Sequence, residues 1–78
     1  MSGETPLFDQ VVAASGLNRA VAPFTISRLL IRADVQPRTL TRAELAGVLP
    51  RLEQGIAVYL RGEELDRALA ALRALAQP

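Results

Sequence analysis

The stretch Pro23–Val35, PFTISRLLIRADV, decides how the rest of the chain is read. Wound at roughly 100° per residue, it places Ile26, Leu29, Leu30 and Ala33 on one apolar face, following the i, i+3, i+4, i+7 rule. Phe24 and Ile31 form a second apolar face, more than about 90° away. Arg28 and Arg32 flank that second face on one side, and Ser27 and Asp34 flank it on the other. A surface helix needs a single apolar stripe to hold its place on a core. Two stripes mean that this helix is packed on two sides. Either both sides are buried within the monomer, or Phe24 and Ile31, with the two arginines, meet another molecule.

Upstream of this stretch, Thr5-Pro6 reads as an N-cap followed by a proline at the first helical position. Met1 to Glu4 ahead of it is expected to be a frayed tail. Leu7, Phe8, Val11 and Val12 form an apolar stripe, and Gly16 supplies a left-handed stop that Leu17 can close by apolar contact. Asn18 can cap the short turn leading to Pro23. The first two predicted helices are therefore 6–15 and 23–33. The second ends because the residue before Pro37 avoids the helical region.

Downstream, Thr41-Arg42-Ala43-Glu44 has the pattern of a capping box, with Leu40 and Leu45 placed as a hydrophobic staple over it. Leu45, Val48, Leu49, Leu52, Ile56, Tyr59 and Leu60 then share one face of a continuous helix. The apolar phase holds through Pro50, whose ring points to the opposite, solvent side. The expectation is one helix over 42–60, kinked at Pro50 and ended by Gly62. A fourth helix over 63–76 opens with Glu63 and Glu64 at its positive end, both within reach of Arg67. Its core stripe is Leu65, Ala68, Leu69, Leu72 and Ala76, and Ala70, Ala71 and Ala74 give a smooth second side. The expected architecture is all-α, a compact four-helix domain over 1–78.

Within this pattern, LTRAELAGVLPRLEQGIAVYLRGEE, Leu40 to Glu64, resembles the core of the phage-repressor-type helix-turn-helix family. The likeness lies in Leu40-Thr41, Glu44-Leu45-Ala46, Leu49, Ile56 and Arg61-Gly62-Glu63. The resemblance implies a short turn after Leu49, then a recognition helix reading DNA through Glu53, Gln54, Ala57 and Val58. Pro50 stands where that family has a turn glycine, and these positions offer acid and hydrocarbon to a phosphate surface.

Composition narrows the chemistry. The 78 residues make one domain, and a chain this short buries only about 60% of its unfolded surface. There is no Cys and no His, which removes disulfides, thiolate zinc sites, thiol nucleophiles and the usual general base. The eight carboxylates are scattered, and Ser15 and Thr25 have no base near them in sequence, so no catalysis, metal or cofactor is expected. Apolar residues make up 50% of the chain, enough that part of that surface is expected to be covered by a partner. All nine basic residues are Arg and the net charge is +1, so no global field draws the chain to nucleic acid or membranes. Between Arg19 and Arg42, however, five arginines face one carboxylate, Asp34. No apolar run approaches the roughly 18 residues that span a bilayer. MSGETPLFDQ at the start has neither the basic region nor the apolar core of a signal peptide, so a bacterial cytoplasm is the expected compartment.

The expectation from sequence is a non-catalytic protein–protein interaction module or adaptor, either a homodimer or docked on a partner protein. Phe24, Arg28, Ile31 and Arg32 are its candidate partner-binding residues. Arg38 and Arg42 bracket the start of the third helix, where free amides also favour anions, and form a weaker candidate anion site. The alternative is a small helix-turn-helix regulator of DNA.

Overall fold

A computed structural model describes residues 6–77, all of it helices and connecting turns: α1 (Leu7–Ala14), α2 (Ala22–Arg32), a 3-10 turn (Pro37–Thr39), α3 (Arg42–Ala57) and α4 (Gly62–Ala76). The expected Thr5 cap and Met1–Glu4 tail lie outside the described residues. The helices form a ring. α3 and α4 share the most extensive contact, α1 lies on α2 and α4, and α2 lies on α3. Val11, Ile26, Leu30, Leu45, Leu52, Ile56 and Leu72 meet in the centre with almost no exposure. The radius of gyration is 11.6 Å, close to the about 11.5 Å of a well-packed chain of this length.

Local chemistry sets the boundaries. α1 stops where Gly16 takes φ +73°, and there the buried Ser15 hydroxyl donates to the Val12 carbonyl at 2.7 Å and accepts from the Leu17 amide at 3.3 Å. Asn18 accepts from the Ala20 amide at 2.8 Å and so turns the chain into α2, which begins at Ala22 with Pro23 in its first turn. α2 ends earlier than Pro37 requires. Asp34 takes φ +65°, its amide donates to the Ile31 carbonyl and the Val35 amide reaches back to the Leu30 carbonyl, both at 2.9 Å. This is a Schellman end with aspartate where glycine is usual, and it buries Val35 against the core.

The capping box of α3 is formed in both directions, with Thr41 and Glu44 exchanging amide-to-side-chain bonds of 3.1 Å each. Leu40 and Leu45 are both buried beneath it. The helix runs unbroken through Pro50, so the turn that a helix-turn-helix places after Leu49 is absent. It ends at Ala57 rather than Leu60, because four residues are needed to turn the chain into α4 and Gly62 supplies that turn at φ +62°. Tyr59, expected on the buried stripe, is carried outward by the turn and is 60% exposed. In α4 four of the five expected core residues, Leu65, Ala68, Leu72 and Ala76, lie in or against the core. Ala68 and Leu72 are buried and Leu75 packs on the core with them, while Leu69 lies off it.

Candidate docking surface

α2 projects two sets of side chains. Ile26 and Leu30 point into the core, and Leu29 and Ala33 pack at its edge. On the far side Phe24 is 72% exposed and Ile31 61% exposed. The sequence left two fates open for these residues, and in the folded chain neither is covered. Arg28 and Arg32 are exposed beside them, and among the described residues neither makes a hydrogen bond or an ion pair. All four candidate partner-binding residues thus lie on one open helix face.

That face continues across a groove to α3. Thr25, Arg28, Leu29 and Arg32 form one bank, and Gly55, Val58 and Tyr59 form the other, around a cavity of about 190 Å³. Gly55 is the reason the two helices can close on each other. A Cβ there would stand 2.6 Å from Leu29 Cδ1, well inside van der Waals contact. Val58, 73% exposed, and Tyr59 extend the apolar surface beyond α2. Sequence reasoning missed these two residues because it kept Tyr59 in helical phase with Ile56. The signal was the distance to Gly62, since an αα connection needs a few residues outside either helix.

Of the two arginines proposed for anion binding, Arg42 already has partners within the chain. Arg42 reaches from the start of α3 to the end of α4, where its Nη1 donates to the Leu75 carbonyl at 2.7 Å and the Gln77 carbonyl at 3.4 Å. It satisfies carbonyls that a helix end leaves open and sits at the negative end of the dipole. Arg38 is exposed in the 3-10 turn. Glu53, a recognition position in the helix-turn-helix reading, binds Arg73 of α4 through Nε at 2.8 Å and Nη2 at 3.3 Å. The hydrogen bond and then the charge of Glu53 hold the Arg73 guanidinium above its ordinary pKa. Thr25, half-buried, lines the groove, whereas the Ser15 hydroxyl is consumed in closing α1.

Among the described residues no three acidic, His or Cys side chains are grouped to hold a metal ion, and no helix is long and apolar enough to cross a membrane. No protein-family model matches the chain, and neither does any curated protein or solved structure.

Proposed function

We propose that this chain is a non-catalytic protein–protein interaction module that docks through the outer face of α2 and the end of α3. The observation that carries the reading is the gathering of Phe24, Ile31, Val58 and Tyr59, each at least 60% exposed, around two unpaired arginines. An apolar centre with aromatic and Arg side chains beside it is the usual anatomy of a specific contact. Apolar residues that no other part of a small domain covers mark such a surface. The unbroken α3 offers no recognition helix, so the wild-type chain should leave a DNA duplex unretarded even at low salt. The reading includes the cytoplasmic placement expected from the sequence, which fractionation of the native cells would check.

The test is the double change Phe24→Ser with Ile31→Ser. Both positions are exposed, so the variant should keep its helical circular dichroism and melt close to the wild type. It should lose association, either with itself in sedimentation or with the protein that the wild-type chain retains from native extract. A variant that still associates as the wild type does would overturn the reading.

A further inference from the structure

We infer that the groove between α2 and the end of α3 receives an acidic, amphipathic helical segment of another protein, and that a second copy of this chain is not its occupant. The inference rests on the docking reading above and deepens it by naming the chemistry of the partner.

The groove volume is about 190 Å³, below the about 300–1,000 Å³ of small-molecule sites. That space suits one or two anchoring side chains. Its floor is apolar, built from Leu29 over Gly55, and Val58 and Tyr59 raise an apolar wall just beyond the end of α3. A trough between two packed helices is the seat that a third, amphipathic helix takes. The opposite bank carries the charge. Arg28 and Arg32 are four residues apart, about 6 Å along the axis, and no carboxylate lines the groove. Two unpaired guanidinium groups at this spacing match carboxylates one turn apart on a partner helix, and each can be gripped by a bidentate fork. Asp34 lies beyond the end of α2, and among the described residues it forms no ion pair with either arginine.

The same charges disfavour a second copy. A two-fold contact is isologous, so each patch meets its own image. A two-fold axis at the middle of α2 sets Arg28 near Arg28 of the other copy, and no carboxylate lines the groove to compensate. Like charges placed opposite one another across an interface exclude a partner. Charges of opposite sign on a different chain complete the surface.

The experiment presents the intact chain with a displayed library of random peptides about 15 residues long, long enough to form a helix on binding. Enriched peptides should carry Asp or Glu one turn apart beside Leu, Phe or Trp. A synthetic copy of an enriched peptide should shift the amide resonances of Leu29, Gly55, Val58 and Tyr59. Its affinity should fall about tenfold or more in the double variant Arg28→Glu with Arg32→Glu. A copy with Lys in place of its acids should show the reverse preference. Circular dichroism of the exposed-site variant confirms that its fold is kept. Enrichment without acidic bias, or affinity indifferent to the arginine variant, overturns the inference and leaves the docking reading standing. No enrichment, with a dimer that Phe24→Ser and Ile31→Ser dissolves, makes the occupant a second copy and overturns the inference alone. No enrichment, a monomer at every concentration and no protein retained from native extract by the wild-type chain overturn both.

Discussion

At the scale of single residues, cost follows burial and backbone conformation. Leu52 is 1% exposed, so Leu52→Ala should cost about 2–5 kcal/mol, a large share of the roughly 5 kcal/mol expected of so small a domain. Leu49, read from the sequence as its equal, is only half-buried, and Leu49→Ala should cost clearly less. Urea titration of the two variants checks the order. Asp34 is a site where a change should stabilise. It holds a left-handed conformation that favours glycine, so Asp34→Gly should stabilise by about 0.5–1 kcal/mol and raise the melting point by several degrees. Gly47 lies inside α3 with open space where a Cβ would go, and Gly47→Ala should gain up to about 1 kcal/mol.

At the scale of elements, the sequence is most legible where side chains signal directly to the backbone. The capping box at Thr41, the Gly16 stop and the Asn18 turn are all formed as the residues imply. It is least legible where a helix end depends on the route the chain takes beyond it. Pro37 accounts for an end to α2, but Asp34 and Val35 stop the helix first, through a motif whose usual glycine is missing. Apolar phase alone would carry α3 to Leu60, but the return of the chain into α4 takes Val58 to Arg61 out of the helix. Pro50 is the element-scale oddity. It sits in the interior of α3 on the exposed side and withholds one backbone donor. Pro50→Ala should restore that bond and stabilise the domain by about 1–3 kcal/mol. A thermal melt of the variant provides the check.

At the scale of the molecule, four stripes of apolar residues are enough to foresee a four-helix domain, because each stripe has to face the same centre. They do not reveal which helices neighbour which. The candidate surface is half legible. Phe24, Arg28, Ile31 and Arg32 stand out as a stripe with no place in the core, but the α3 bank exists only once the chain has turned at Val58. The unequal contacts also predict unequal opening. α3 and α4 share the broadest contact, so Leu52, Ile56 and Leu72 should have the slowest amide exchange. α1, eight residues long, should exchange first. Uniform protection across all four helices would show that the ring opens only as a whole.

The close approach of Gly55 to Leu29 has an evolutionary consequence. Every glycine codon becomes an alanine codon through a single base change. Alanine at 55 would meet the end of a flexible, half-buried leucine rather than backbone, so the chain could still fold while the floor of the trough was rebuilt. Selection can therefore reshape the trough through one inexpensive substitution, without first dismantling the scaffold that presents the surface.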